Sequence, residues 1–68
     1  MTVWLNGEPR ELRAGASLAE AAAAAGAPPD RRGIAVALDG EVVPRDRWDE
    51  TVVADGQRVE VVQAVQGG

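Results

Sequence analysis

Residues 33–44 read GIAVALDGEVVP, and the rest of the fold can be worked outward from them. Ile34, Val36 and Leu38 alternate with smaller residues, which is typical of a strand with one buried face. Asp39-Gly40 is a two-residue turn of the kind that favours a tight hairpin. The chain returns through residues 41–43, and Pro44 ends the second strand. We therefore predict a hairpin whose first strand, residues 33–38, is buried.

A short helix is predicted before this hairpin. Ser17 and Glu20 have the spacing of a capping box, in which each side chain bonds the other residue's backbone N–H. The alanine run that follows has the highest intrinsic helix propensity, and Gly26 and the pair Pro28-Pro29 end it. A helix of two to three turns is too short to be stable alone, so we expect it to pack on the sheet. Its inward residues are expected to be Leu18, Ala21 or Ala22, and Ala25.

The N-terminal residues predict a second hairpin. Thr2–Leu5 alternates in the manner of a strand, with Val3 and Leu5 on one face. Asn6-Gly7 is the strongest short-range hairpin signal. The returning strand is predicted at residues 10–13, with Pro9 at its start and Leu12 facing inward.

The C-terminal third predicts a turn followed by one last strand. Residues 44–50 are expected to form a short turn or 3₁₀ segment, with Trp48 in the core because a small domain with few aromatic residues buries its tryptophan. Asp55-Gly56 turns the chain into a strand over residues 57–64, with Val59 and Val61 inward. Residues 65–68 have no element to join and are expected to project as a flexible tail.

The predicted order ββ-α-ββ-β is that of an α+β, β-grasp fold. In this ubiquitin-like architecture a mixed sheet of four to five strands holds one helix, and the C-terminus leaves freely from the last strand. We therefore expect one domain over residues 1–64 and a tail over residues 65–68.

Apolar residues on the other face of the sheet predict a partner interface. Val62 and Ala64 are out of phase with the inward valines, and Trp4 is out of phase with its neighbours. An exposed apolar patch of this kind often marks an interaction surface. For Trp4, burial under loops is the alternative. Arg31-Arg32 is predicted to be a solvated loop.

The amino-acid composition excludes most kinds of enzymatic catalysis. The chain has no Cys, His, Tyr or Lys, and general acid–base or nucleophilic catalysis near neutral pH usually relies on such groups. Without His or Cys we expect no metal site. We predict that the protein is not an enzyme, and that the C-terminal carboxylate of Gly68 is the group on which a reaction takes place.

The formal net charge is −4, and the negative charge lies in the second half of the chain. Residues 1–34 carry four arginines and four acids, whereas residues 35–68 carry three arginines and seven acids. This charge disfavours nucleic-acid binding, which needs a basic surface, and suits docking on a positively charged protein. No signal peptide or membrane span is visible, so we expect a cytoplasmic protein that is a monomer when free.

The ending Gly67-Gly68 is a weak motif alone, because a frayed, disordered terminus without a function can also end in glycines. The motif becomes more informative because the predicted element order is that of a β-grasp fold and because the sequence lacks the usual catalytic residues. Glycine has no Cβ, so the backbone can approach other groups closely in a narrow cleft. We expect Gly67 to be read by a partner, and Gly68 to become an acyl-adenylate, whose leaving group makes the carbonyl attackable.

The sequence resembles the ThiS family, the ubiquitin-like sulfur carriers of thiamine biosynthesis. The resemblance covers nearly the whole chain. It rests on the Asn6-Gly7 turn, the segment GIAVALD at residues 33–39, the V-P-R-x-x-W pattern from Val43 to Trp48, and the segment DGQRVEVVQ at residues 55–63 that leads to Gly67-Gly68.

The resemblance implies a cycle of reactions on Gly68. A ThiF-type adenylyltransferase would use ATP and Mg to make the acyl-adenylate, sulfur from a cysteine desulfurase or similar source would convert it to a thiocarboxylate, and thiazole synthase (ThiG) would accept that sulfur. No cofactor would be bound by the carrier itself. Arg45, within the family pattern, would either fix the turn or meet a partner.

Three other functions remain open at this stage. The chain could be another β-grasp sulfur carrier, of the molybdopterin synthase small-subunit type or the tRNA-thiolation type. It could be a ubiquitin-like modifier joined to lysines, or a binding module with an inert tail.

Overall fold

In the described part of the chain, a five-stranded mixed sheet carries one helix on its inner face. The computed structural model describes residues 1–63. The elements are β1 (Thr2–Leu5), β2 (Glu8–Glu11), α1 (Leu18–Ala24), β3 (Ile34–Leu38), β4 (Glu41–Val43), a 3₁₀ turn (Arg45–Arg47) and β5 (Arg58–Gln63). The strand order is β2-β1-β5-β3-β4, with β1 and β5 parallel and the other neighbours antiparallel. This architecture confirms the predicted β-grasp fold.

Both predicted hairpin turns are present and share one geometry. Asn6 and Gly7 have φ of 50° and 84°, and Asp39 and Gly40 have φ of 50° and 87°. Positive φ at both central residues defines a type I′ turn, which matches the twist of the flanking strands. Asn and Asp are the side chains that tolerate this region best, so each turn sequence dictates its own backbone.

The second strand lies earlier than predicted: it is Glu8–Glu11 and not residues 10–13. The tight turn makes Leu5 pair directly with Glu8, so pairing begins as soon as the turn ends. Pro9 is therefore inside the strand, opposite Trp4. It is tolerated because β2 is an edge strand. Leu12 follows the strand, half-buried against the core as expected.

The helix has the predicted start and end. Ser17 Oγ accepts from the Glu20 N–H at 3.1 Å, and Glu20 Oε2 accepts from the Ser17 N–H at 2.9 Å, which completes the capping box. At the other end the N–H groups of Gly26 and Ala27 donate to the carbonyls of Ala23 and Ala22, both at 3.0 Å. This is the Schellman arrangement. Leu18, Ala21 and Ala22 are all buried, while Ala25 is only half-buried.

The core lies between the helix and the inner face of the sheet. Its fully enclosed residues are Val3, Leu5, Ala16, Leu18, Ala21, Ala22, Val36, Trp48, Val53 and Val59. Trp48 is the largest of them, as expected for the tryptophan near the 3₁₀ turn. Ala16 and Val53 are additions that no periodic pattern marks. They are joined by the Val53 N–H, which donates to the Ala16 carbonyl at 3.0 Å.

The last strand has the predicted phase. Val59 is buried, Val61 is half-buried and Val62 is exposed. The predicted interface residue Ala64 and the predicted tail at residues 65–68, with Gly67 and Gly68, lie outside the described residues.

Candidate functional site

The candidate site is the outer face of the sheet around β5, because β5 leads to the last residues of the sequence. β5 is the central strand, with β1 on one side and β3 on the other. Its register pairs Val62 with Ala35 and Gln63 with Ile34. The last described residue of β5 therefore lies where β3 begins, at one end of the sheet.

An apolar patch covers part of this face, and we call it the valine patch: Ala35, Ala37, Val42 and Val62. The strand register places these residues side by side, since Val62 is opposite Ala35 and Val42 is opposite Ala37. Val42 is 71% exposed and Val62 is 57% exposed. The small alanines leave both valines protruding, so the patch is a shallow apolar surface suited to contact with another protein.

Trp4 lies on the same face, in a separate groove of about 310 Å³. The groove is lined by Trp4, Gly7, Arg58, Val59 and Glu60. Trp4 is 41% exposed, so loops do not bury it. Its strand neighbour on β5 is Arg58, which is four residues before Val62 and roughly 13 Å away along the strand at about 3.3 Å per residue. Trp4 and Val62 are thus exposed on one face without forming one continuous patch.

The V-P-R-x-x-W pattern closes a loop around the buried tryptophan. The indole Nε1 of Trp48 donates to the Val43 carbonyl at 2.8 Å, and the Trp48 N–H donates to the Arg45 carbonyl at 3.3 Å. The Arg45 side chain is exposed and makes no hydrogen bond or ion pair within residues 1–63. Its backbone therefore belongs to the turn, while its guanidinium points to no partner in the described part of the chain.

Arg31 is not the solvated loop residue that its position predicts. Its guanidinium donates to the two carboxylate oxygens of Asp49 at 2.9 and 2.7 Å, and lies 5.5 Å from the Trp48 ring centroid. The hydrogen bonds from Arg31 lower the pKa of Asp49. The contact joins the loop after the helix to the 3₁₀ region. Sequence reasoning missed it because the two residues are far apart in the chain.

The start of β5 is fixed by Asp39. Its Oδ1 accepts from the Arg58 N–H at 2.9 Å, and its Oδ2 accepts from Gln57 Nε2 at 2.9 Å. The hydrogen bond from the Arg58 N–H lowers the pKa of the Asp39 carboxyl most, and the bond from the Gln57 side chain lowers it further. The turn residue of one hairpin thus holds the strand that leads to the C-terminus. In the sequence, the only indication of this contact is an acidic residue in the two-residue turn Asp39-Gly40.

Residues 1–63 contain neither a cluster of potential metal ligands nor a helix suited to crossing a membrane. No group of three or more potential ligands comes together there. No helix in the same range is long and apolar enough to cross a bilayer.

Comparison with known proteins identifies the family. The sequence model of the ThiS family matches residues 3–68. The chain belongs to the ThiS family. Two solved structures have the same fold. The first is the crystal structure of thiamine biosynthesis protein ThiS from Geobacter metallireducens, with a TM-score of 0.81 and 31% identity over all of both chains. The second is the solution structure of a thiamine biosynthesis protein from the same organism. Its TM-score is 0.73, and it is 30% identical over all of this chain and 88% of that one.

A curated relative gives the same family name. Sulfur carrier protein ThiS of Escherichia coli K12 is 36% identical over 36 residues, which are 53% of this chain and 54% of that protein. The alignment therefore spans about half the length of each. For this ThiS-family chain, the match of the family model reaches Gly68 and includes both terminal glycines.

Proposed function

We propose that this ThiS-family chain is a sulfur carrier of thiamine biosynthesis and that its working group is the Gly68 carboxylate. The observation that carries the proposal is the family match from residue 3 through Gly68. The chemistry of the chain agrees, since the sequence offers no Cys, His, Tyr or Lys with which to catalyse a reaction. The carrier is then the substrate of other enzymes.

The proposed reaction begins with activation of the carboxylate. An α-carboxyl group has a pKa of about 3.3–3.7, so it is an unreactive anion at neutral pH. A ThiF-type adenylyltransferase, which holds the ATP and Mg, joins the carboxylate oxygen to the AMP phosphorus and releases pyrophosphate. The anhydride formed has a good leaving group at the Gly68 carbonyl.

Sulfur transfer follows at the same carbon. The outer sulfur of a persulfide, formed on a cysteine desulfurase or similar source, attacks the carbonyl, and the carbon–oxygen bond to AMP breaks. A second thiol then reduces the acyl disulfide formed, which leaves the thiocarboxylate on Gly68 and a new disulfide between that thiol and the donor. Thiazole synthase ThiG then accepts the sulfur. A sulfur carrier needs no cysteine of its own in this scheme, because the sulfur is held on the terminal carbonyl.

The outer face of the sheet is the proposed docking surface. The exposed side chains of Val62 and Val42, and Trp4 in its groove, offer apolar contact on the face of the strand that leads to Gly68. The negative charge of residues 35–68 favours partners with a positive surface. We include Arg45, Ala64 and Gly67 in the proposed contact region, and we place the reaction in the cytoplasm, with the free carrier a monomer.

Adenylation can be tested with the adenylyltransferase of the same organism. The complete chain should support ATP–pyrophosphate exchange, and a variant that lacks Gly67-Gly68 should not. Equal exchange with both chains would mean that the terminus is inert and that the protein is only a binding module. Lysine-linked conjugates, without a thiocarboxylate, would instead indicate a ubiquitin-like modifier.

A further inference from the structure

One stretch of β5, in the middle of the sheet, has backbone groups that pair with no other strand of residues 1–63. In β5, alternate residues direct their N–H and C=O groups to β3 or to β1. The Asp39 N–H donates to the Arg58 carbonyl at 2.8 Å, and the Asn6 N–H donates to the Val59 carbonyl at 2.9 Å. Residue 58 therefore faces β3 and residue 59 faces β1. By the same alternation, residues 61 and 63 face the side of β1.

β1 ends before it can pair with them. The parallel ladder stops at Leu5 and Val59, and the chain then turns away at Asn6-Gly7. The Asn6 side chain takes up one more group, since its Oδ1 accepts from the Val61 N–H at 2.8 Å. The Val61 carbonyl and both backbone groups of Gln63 have no partner strand within residues 1–63. We call these three groups the β5 notch.

The notch differs from the two ordinary edges of the sheet. The edge strand β2 has the sequence EPRE, so charges and a proline protect it from pairing with other chains. The other edge strand, β4, has only three residues and is followed by Pro44. Val62 and Gln63 at the notch are both exposed and uncharged, with no proline. Within the described residues, the fold protects its two outer edges, and no strand covers the notch.

We propose that the β5 notch receives an extended strand of the activating enzyme, which continues the sheet in the place where β1 stops. This inference rests on the proposed function and deepens it by naming how the enzyme grips the carrier. Main-chain hydrogen bonds to an open strand edge supply affinity, while side-chain contacts supply specificity. The incoming strand needs an apolar residue beside Val62 on the outer face. Pairing at Gln63 fixes the direction in which the chain continues towards Gly68.

A second copy of this chain is a less suitable occupant. The notch offers only three backbone groups, and the Asn6 side chain already blocks the Val61 N–H. These limits hold for any incoming strand, but a second copy also brings the same net charge of −4 against this one, which disfavours a symmetric pair. An enzyme strand that also contacts the valine patch gains more, because the exposed Val62 side chain belongs to both surfaces.

Amide hydrogen exchange tests the pairing directly. The complete chain, labelled with ¹⁵N, is measured alone and with the adenylyltransferase of its own organism. The Gln63 N–H should exchange freely in the free protein and about tenfold or more slowly in the complex. The Val62 N–H is the internal control, because it faces β3 and is protected in both states. Unchanged exchange at Gln63 in a complex that adenylates the chain would overturn the proposal, whereas the absence of any adenylation would overturn the proposed function itself.

A pair of variants tests the contribution of the same N–H to activity. Gln63→Pro removes it and Gln63→Ala keeps it, while both remove the side chain. Loss of one hydrogen bond should make Gln63→Pro about tenfold weaker than Gln63→Ala in kcat/KM for adenylation, with both variants folded by circular dichroism. Equal activity would overturn the proposal. If Gln63→Pro does not fold, an ester in place of the amide at residue 63, made by chemical synthesis, gives the same comparison. Concentration-dependent dimers with protection at Gln63 would assign the notch to a second copy and overturn the enzyme strand.

Discussion

The side chain of Asn6 accepts a hydrogen bond from the Val61 N–H at 2.8 Å, and so joins the first turn to the last strand across 55 residues of chain. The bond follows the last pair of the parallel ladder, Leu5 and Val59. It occupies a backbone donor where β1 turns away. The turn residue thus forms the hairpin and also holds the strand that leads to Gly68.

Two substitutions at Asn6 should separate the contribution of this hydrogen bond from that of the turn conformation. Asn6→Gly keeps the left-handed backbone of the turn and removes the acceptor, so the free energy of unfolding should fall by about 1 kcal/mol. Asn6→Ala also forces a residue with a Cβ into φ near 50°, which should cost about 1–2 kcal/mol more than in Asn6→Gly. Urea unfolding measures both. Equal stability of Asn6→Gly and the wild type would show that the bond contributes nothing.

The same substitution should destabilise the protein at Trp48 and have almost no effect at Trp4. Trp48→Phe removes the donor to the Val43 carbonyl and shrinks a fully buried side chain. It should cost about 2–3 kcal/mol. Trp4→Phe, on the exposed face, is the matched control and should change stability by about 0.5 kcal/mol or less. Thermal unfolding of both variants decides the point, and similar losses would contradict the assignment of Trp48 alone to the core.

Glu20 should contribute an acid-sensitive part of the stability. Hydrogen bonds from Arg13 and from the Ser17 N–H lower its pKa from 4.5 to about 2. A carboxyl with a lowered pKa in the folded state stabilises the fold above its unfolded pKa, and this contribution is lost as the pH falls from 4.5 towards about 2. Glu20→Gln should therefore be less stable than the wild type at neutral pH, and the difference should vanish near pH 2.

The control for Glu20 is Glu8→Gln on the exposed strand β2, where Glu8 makes no side-chain hydrogen bond within residues 1–63. Thermal unfolding from pH 2 to pH 7 compares the two variants. A pH-independent gap between Glu20→Gln and the wild type would show that the loss is not electrostatic.

Turn chemistry explains most of what the sequence could predict. Asn6-Gly7, Asp39-Gly40 and the Ser17–Glu20 capping box each act over a few residues, so their outcome can be derived locally. The prediction for β2 is wrong for a local reason as well, because Pro9 is typical of a strand start, but its position on an edge strand lets it lie inside β2.

The contacts that the sequence could not predict are those between distant segments. Asn6 with Val61, Asp39 with Arg58 and Arg31 with Asp49 are separated by 55, 19 and 18 residues. Each depends on which strands become neighbours, and no periodic pattern encodes that. For the site, the phase of β5 predicts the exposure of Val62 and the phase of β1 predicts that of Trp4, but only the register shows that they belong to separate surfaces.

The outer face should be required for binding and not for folding. Val62→Asp introduces a charge into the valine patch at a side chain that is already 57% exposed, so the fold should be kept. Binding to the ThiF-type enzyme should weaken by about 2 kcal/mol or more, the size expected for a central contact. Val52→Asp is the matched control, because Val52 is 63% exposed and pairs with Ser17 away from β5. Calorimetric titration measures the binding of both variants, and circular dichroism checks that both are folded. Equal binding by the two variants would contradict the assignment of Val62 to the docking surface.

The central claim is that sulfur is carried on Gly68, and the mass of the intact protein tests it most directly. The chain is incubated with its own adenylyltransferase, ATP and a cysteine desulfurase with cysteine, and then analysed whole and after proteolysis. The account predicts a mass gain of one oxygen-to-sulfur exchange, confined to the peptide that ends in Gly68 and absent when Gly67-Gly68 is deleted. An unchanged mass, under conditions in which a known ThiS protein is converted, would contradict it.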